Sequence, residues 1–239
     1  MITVIEEDFK DLELNEYPYD RGHTALGEYH HLKQAGVYGN WYDPISLHQW
    51  RSLDGSWLVT SANGIRYLEQ NRGNNSKGAF KNVYCCLVHK KKLYEKYTLS
   101  YHIRLFEFSY YCGMAFSYIT SRNYYAVGIN GNEIALYRRN QEEFIVLDKK
   151  EMAIDDLKTY HIQILVSNHT MVYLDGEKVL EADIDFCEGS SIACVAKSAC
   201  RYSHICVHME EQDYELHQLK QKHEEERIHK KRKDYPSLE

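Results

Sequence analysis

The sequence predicts an all-β fold of two antiparallel sheets packed as a sandwich, and three observations indicate it. From Trp57 onward the chain breaks into about a dozen short runs rich in Val, Ile, Tyr and Phe, with turn residues at sandwich-like spacing. Two turns, Asn130-Gly131 and Asp175-Gly176, are typical of tight hairpins with positive φ. No helical crossovers separate the runs, so a parallel α/β sheet is not expected.

Individual runs carry the alternation of a half-buried strand. In TYHIQILVS, the apolar residues at 160, 162, 164 and 166 alternate with His161, Gln163 and Ser167, which predicts one buried face. Residues 1–55 are irregular and rich in Tyr, His, Gly and Asp, so we expect long loops over a sheet, where binding residues concentrate. We place the sandwich in residues 1–209. Residues 210–239, highly charged and without an apolar stripe, form a solvated helix or linker.

Composition excludes several classes of function. The chain has 239 residues, with 29 Lys+Arg against 35 Asp+Glu, and the net charge of −6 opposes binding to nucleic acid. No run approaches the roughly 18 apolar residues of a membrane helix, so no membrane partner is predicted. The start lacks a signal peptide, which indicates a cytoplasmic chain, or an extracellular one if it is a fragment of a secreted enzyme. Seven Cys without a CxxC spacing indicate reduced, packed thiols.

The order of motifs between residues 97 and 208 resembles the concanavalin A-like lectin/glucanase superfamily. A Tyr-Tyr-Ala-Val run at 124–127 leads to the Asn-Gly turn at 130–131, and Tyr-Leu-Asp-Gly follows at 173–176. This resemblance implies a jelly-roll sandwich. Gly-Glu-Tyr-His-His at 27–31 and Gly-Asn-Trp-Tyr-Asp-Pro at 39–44 are similar to N-terminal modules of bacterial pectin-active enzymes such as rhamnogalacturonan lyases.

The superfamily includes hydrolases, lyases and binding modules, so the resemblance leaves activity open. Its retaining glucanases need paired carboxylates, usually as Glu-x-Asp-x-x-Glu. The nearest string here, Glu181, Asp183 and Asp185, has another spacing and follows a hairpin, so we interpret it as solvent-facing. A lyase would need a Tyr, His or Lys base, and the sequence does not locate one.

Metal ligands are few in the sequence. The resemblance leaves open a structural Ca²⁺ site to which Glu7 and Asp8 would contribute ligands. However, His204 stands where the last strand would supply an acidic ligand. His23, His30 and His31 match no strong transition-metal motif. No cofactor is therefore predicted.

Sugar sites combine aromatic platforms with hydrogen-bonding groups, and Arg captures uronate carboxylates. Strand parity predicts that Tyr124 shares a face with Ala126 and Gly128 beside a groove, whereas Tyr125 lies in the core. The candidate carbohydrate-binding residues are Trp41, Tyr42, Trp50, Tyr110, Tyr111, Tyr118, Arg122, Tyr124 and Arg138.

We interpret the chain as a carbohydrate-binding accessory module of a polysaccharide-degrading enzyme, recognising a pectin-type glycan. Its predicted partners are a poly- or oligosaccharide and a downstream catalytic domain. Two alternatives stay open. One is a stand-alone glycoside hydrolase or polysaccharide lyase acting on oligosaccharides, and the other is a structural domain that packs on a catalytic domain and binds no sugar.

Overall fold

Two antiparallel sheets packed face to face form the protein, as the sequence predicts. The computed structural model describes residues 1–12, 14, 24–25, 35–44, 57–70 and 84–234. Within them lie seventeen strands and one helix: β1 (Ile2–Glu7), β2 (Thr24–Ala25), β3 (Ala35–Tyr38), β4 (Trp41–Asp43), β5 (Trp57–Ala62), β6 (Ile65–Gln70), β7 (Cys85–His89), β8 (Tyr97–Leu105), β9 (Cys112–Thr120), β10 (Asn123–Ile129), β11 (Glu133–Asn140), β12 (Glu143–Glu151), β13 (Tyr160–Val166), β14 (His169–Leu174), β15 (Glu177–Asp183), β16 (Ser191–Ala196), β17 (Cys200–Met209) and α1 (Glu211–Asp234).

The two sheets have different strand orders. The eight-stranded sheet runs β15-β14-β13-β8-β17-β6-β5, and β1 also pairs with β17. The nine-stranded sheet runs β12-β11-β10-β9-β16-β7-β4-β3-β2. Strands distant in sequence are neighbours in both sheets, as in a jelly roll, and every described pairing is antiparallel.

The inner faces of the two sheets enclose the main core. The alternation predicted in β13 is confirmed, since Tyr160, Ile162, Ile164 and Val166 are all buried there. Tyr125 and Trp57 join the same core. Two buried tyrosine hydroxyls connect the sheets: Tyr101 donates to the Val127 carbonyl (3.3 Å) and Tyr202 donates to the Val195 carbonyl (3.0 Å). The core therefore fixes the distance between the sheets through polar as well as apolar contacts.

The two predicted hairpins form, by different means. Asp175 and Gly176 have positive φ (52° and 89°), as the sequence predicts for the turn between β14 and β15. Neither Asn130 nor Gly131 has positive φ, so that part of the prediction is wrong. The Asn130 side chain closes this turn instead, because its Oδ1 accepts hydrogen bonds from the backbone N–H groups of Asn132 and Glu133 (2.9 and 3.0 Å).

The charged segment after β17 is helical over Glu211–Asp234, and its first turns contact the sandwich. His217 is fully buried, with its ring 5.8 Å from that of Tyr94. Lys220 forms ion pairs with Glu95 (2.5 Å) and Glu188 (2.7 Å). The predicted charged helix is thus confirmed and is mostly exposed, and only its first turns, at Asp213 and His217, are buried against the sandwich. No helix in the described ranges has the length and apolarity needed to span a membrane.

All seven cysteines lie within the described residues as free thiols. Only Cys187 and Cys206 are partly exposed, and the other five are buried. The prediction of packed thiols is confirmed for those five.

Candidate functional site

The outer face of the nine-stranded sheet carries a second apolar cluster, separate from the main core. It arises because successive side chains of a strand point to opposite faces. Tyr124 and Ala126 of β10 lie on this outer face, whereas Tyr125 and Val127 lie in the core, as parity predicts. We call its rings the outer aromatic layer: Tyr84, Tyr111, Tyr118, Tyr124, Tyr137 and Phe144.

The rings of this layer form a continuous series of contacts centred on Tyr137. The Tyr137 ring lies 5.6 Å from Tyr111 (stacked), 5.6 Å from Phe144 and 6.5 Å from Tyr124. Tyr118 stacks on Tyr124 at 5.7 Å. A Cβ at Gly128 would lie 3.3 Å from the Tyr137 ring, so this glycine provides the space in which Tyr137 lies.

Two cations are set among these rings. Arg139 is 3% exposed, and its guanidinium carbon lies 4.2 Å from the Phe144 ring centroid. Arg139 also donates to the carbonyl (3.2 Å) and the side chain (3.3 Å) of Glu142. Lys197 is 7% exposed, with its Nζ 4.2 Å from the Tyr110 ring centroid and 5.9 Å from that of Tyr84. Both cations therefore make cation–π contacts in a desolvated setting, where such contacts are strongest.

The Tyr137 hydroxyl is buried and has no hydrogen-bond partner. Burial, together with nearby Tyr124 and Tyr84, raises the pKa of Tyr137 well above its ordinary value. The hydroxyl therefore stays protonated and can both donate and accept a hydrogen bond. An unpaired buried hydroxyl costs about 1–3 kcal/mol, so a polar ligand atom or a water that reached it would be favoured.

Tyr111 is fixed at a partly open end of the layer. Its hydroxyl donates a hydrogen bond to Glu133, which also accepts one from Lys149 Nζ (2.9 Å). The hydrogen bonds from Tyr111 and Lys149 lower the pKa of Glu133. Burial, followed by the hydrogen bond to Glu133, raises the pKa of Tyr111. The half-buried Tyr111 ring thus presents a preorganised aromatic surface.

The sequence-predicted residues are divided between different environments. Tyr110 is 44% exposed, and Tyr42 and Tyr111 are half-buried beside the outer cluster. Arg122 is exposed and forms an ion pair with Glu142 (3.0 Å). Trp50 lies outside the described residues.

Four of the predicted residues do not lie where the prediction needs them. Trp41 is 1% exposed in the main core, edge-on to His89 at 5.0 Å, because alternation in β4 turns Tyr42 rather than Trp41 outward. Tyr118 and Tyr124 are on the outer face but buried, so they do not line an open groove.

Arg138 is the fourth of these residues. Arg138 pairs with core residue Tyr125 and contacts Asp185 (3.7 Å), on the opposite side of the sheet from Tyr124.

Sequence reasoning missed Tyr84, Tyr137, Arg139, Phe144 and Lys197. The signal for two of them was present in the hairpin register. In the hairpin that turns at Asn130, Ala126 pairs with Tyr137 and Tyr124 pairs with Arg139. Directly paired residues share a face, so Tyr137 and Arg139 lie on the outer face with Ala126 and Tyr124. Lys197 is different, because it follows β16, and only the sheet order brings it beside Tyr110.

The acidic residues singled out in the sequence are engaged elsewhere. On β15, Glu181 and Asp183 are exposed and contact His169 at 3.3 and 2.7 Å. Glu7 accepts a hydrogen bond from Asn40 (2.7 Å), and its Oε1 lies 3.3 Å from His89 Nε2. In the part of the chain that the structure describes, no group of three or more His, Cys, Asp or Glu could hold a metal ion.

Comparisons with known proteins identify the fold. No family model matches the sequence. No curated protein matches it either. The structure is similar to the GH43 protein BlXynB (mutant K247S) from Bacillus licheniformis, with a TM-score of 0.51 and 12% identity over 80% of this chain and 40% of that one.

Two smaller solved proteins are also similar. Carbohydrate-binding module CBM66 from Bacillus subtilis has a TM-score of 0.49 and 12% identity over 65% of this chain and 95% of that one. A Bacillus subtilis protein of unknown function with a galectin-like fold has a TM-score of 0.48 and 10% identity over 68% of this chain and 90% of that one. Likeness at such low identity concerns the fold alone, which is an antiparallel two-sheet sandwich of the jelly-roll kind.

Proposed function

We propose that this chain is a glycan-binding module whose ligand engages the outer aromatic layer at Tyr111, together with the exposed Tyr110 next to it. The observation that carries the proposal is the buried, unpartnered Tyr137 hydroxyl within a set of aromatic rings that also holds Arg139 and Lys197. Sugars offer apolar C–H faces to aromatic rings and hydroxyls to polar groups, and the layer supplies both kinds of partner.

The cations favour an acidic glycan over a neutral one. The whole chain has a net charge of −6, which repels a polyanion at long range, so binding a uronate polymer requires local positive charge. Lys197 supplies it, because its Nζ lies near both Tyr84 of the layer and the exposed Tyr110. We propose a pectin-type glycan and a role as accessory module of a polysaccharide-degrading enzyme, in keeping with the resemblance to modules of pectin-active enzymes.

The direct test is native electrophoresis in gels cast with homogalacturonan, rhamnogalacturonan, xylan, β-glucan or no polymer. We expect retardation of the native protein in the two pectic gels. Equal mobility in all five gels would contradict the proposal and favour a structural domain. Release of unsaturated uronate products from the same polymers would instead indicate a lyase.

Substitution of Tyr110 tests the location of the site. Because this side chain is exposed, Tyr110→Ala should abolish retardation while leaving the unfolding transition nearly unchanged. Tyr173→Ala is the matched control, since Tyr173 is a partly exposed tyrosine on β14 of the other sheet. Retardation that survives Tyr110→Ala would place the site elsewhere.

A further inference from the structure

Two arginines lie side by side on the outer face of the eight-stranded sheet. Arg104 of β8 is the direct cross-strand partner of Arg201 of β17. Their chain neighbours Ile103 and Tyr202 are in the main core, so alternation directs both arginine side chains away from it. Like charges directly opposite each other destabilise a sheet. The pair is therefore unfavourable unless a negative charge lies against it.

Two aromatic rings hold the guanidinium groups of this pair. The guanidinium carbon of Arg104 lies 5.5 Å from the ring centroid of Phe106, and that of Arg201 lies 5.4 Å from the same centroid. Arg201 also lies 4.3 Å from the ring centroid of Tyr67. Phe106 is 40% exposed, and both arginines are partly exposed. Two positive charges thus meet at one ring that a ligand can reach.

Both guanidinium groups have hydrogen-bond donors left for a ligand. Arg104 donates from Nε to the backbone carbonyl of Asp156 (2.8 Å). The Nε of Arg201 is buried and has no hydrogen-bond partner. Among the residues that the structure describes, neither guanidinium forms an ion pair with a carboxylate. A guanidinium forms its strongest hydrogen bonds with a negatively charged acceptor, so an oxyanion is the ligand that suits this pair.

Two acidic residues beside the pair have their carboxylates engaged elsewhere. Glu69 of β6 is the other cross-strand partner of Arg201, but its carboxylate accepts a hydrogen bond from Thr60 of β5 (3.2 Å). Glu107 lies just after β8, and its carboxylate accepts a hydrogen bond from the backbone N–H of Ala199 (3.1 Å). These contacts leave the positive charge of the pair to an external anion.

We propose that Arg104 and Arg201 bind the phosphate group of a small phosphate monoester. Such a phosphate carries a charge of about −1.5 to −2 at pH 7, so it balances both guanidinium groups, whereas a carboxylate balances one. The planar guanidinium fork also matches phosphate oxygens bidentately. The exposed Phe106 ring packs against the organic group that carries the phosphate. The outer aromatic layer lies on the other sheet, so this site is separate from the proposed glycan site.

The test is isothermal titration calorimetry of the full chain with phenyl phosphate, inorganic phosphate and phenyl sulfate at low salt. We expect one saturable site that prefers phenyl phosphate, because inorganic phosphate lacks the organic group and phenyl sulfate carries a single charge. Arg104→Met and Arg201→Met should each weaken phenyl phosphate binding at least about tenfold, since each removes one charged fork. Phe106→Ala, at an exposed position, should remove the preference for phenyl phosphate over inorganic phosphate.

The matched control is Arg227→Met, which alters an exposed arginine of α1 that is ion-paired with Glu224 and should leave phenyl phosphate affinity unchanged. Circular dichroism establishes that each variant is folded. The rise in melting temperature on adding phenyl phosphate is compared within each variant, so a change in basal stability does not enter. Absence of saturable phenyl phosphate binding to the native protein, undiminished affinity in both arginine variants, or equal affinity for phenyl sulfate would overturn the proposal.

Discussion

Arg138 lies directly across from Tyr125 in the β10–β11 pair, with its guanidinium carbon 5.4 Å from the tyrosine ring centroid. The next residue, Arg139, lies across from Tyr124 and contacts Phe144 of the outer aromatic layer. Two adjacent arginines thus lie on opposite sides of one sheet. Only Arg139 lies on the face that we propose binds a glycan.

Substituting each arginine in turn should show which side of the sheet binds the glycan. Arg139→Met keeps an apolar stem but removes the buried charge, so we expect affinity for an acidic glycan to fall at least about tenfold. Loss of its contacts with Phe144 and Glu142 should also cost about 1–3 kcal/mol of unfolding free energy. Gel retardation and urea unfolding measure the two effects.

Arg138→Met is the control for that experiment. Its ion pair with Asp185 is solvent-exposed, and such pairs contribute about 0–1 kcal/mol. Glycan binding should stay unchanged. Equal loss of binding in both variants would mean that the effect is not specific to the outer face.

The Gly113–Gly128 pair should be sensitive to a single methyl group. A Cβ at Gly113 would lie 1.9 Å from the Val127 carbonyl oxygen, which is backbone and has to shift. We expect Gly113→Ala to destabilise the protein by about 3 kcal/mol or more. At Gly128 the nearest atom is 3.0 Å away, so Gly128→Ala should cost clearly less. Urea unfolding compares the two variants, and equal costs would contradict this ranking.

Glu7 should make stability depend on acid pH. Burial raises the pKa of Glu7, but hydrogen bonds from His89 and Asn40 outweigh it and lower the net value. Because the folded pKa is below the unfolded one, Glu7 stabilises the fold above about pH 5, and this is lost as pH falls through the folded pKa.

The matched variant for this prediction is Glu7→Gln. It should lose about 1–3 kcal/mol at pH 7, since a charged hydrogen-bond acceptor becomes a neutral amide. Its stability should approach that of the native protein at acid pH. Denaturation at several pH values measures the difference, and a constant gap between the two proteins would argue against the role of Glu7 ionisation.

His217 should hold the start of α1 on the sandwich. Its ring contacts Tyr94 and Tyr214, and its Nδ1 accepts a hydrogen bond from the backbone N–H of Tyr94 (3.4 Å). His217→Ala should speed amide hydrogen exchange and proteolysis in the first turns of the helix. Leu219→Ala, at an exposed position of the same helix, should change neither. Unaltered hydrogen exchange in His217→Ala would show that the ion pairs of Lys220 are enough to hold the start of α1 on the sandwich.

Strand periodicity and hairpin positions could be predicted because they depend on neighbouring residues. Alternation in β13 and the turn at Asp175-Gly176 follow from local sterics, and the structure has both. Strand parity explains two of the misplaced candidates. Trp41 and Arg138 were predicted to bind carbohydrate, but the residues on the outer face are Tyr42, which was also predicted, and Arg139, which was not. Because successive side chains point to opposite faces, an error of one residue places a side chain on the wrong face of the sheet.

The sequence by itself therefore determined a β-sandwich, its hairpins and the separation of Tyr124 from Tyr125, since these depend on alternation along one strand. The tertiary structure alone decided that Lys197 lies over Tyr110 and that Arg104 lies beside Arg201. Those contacts join strands far apart in the chain, and strand order is fixed by the packing of the whole sandwich rather than by any local pattern.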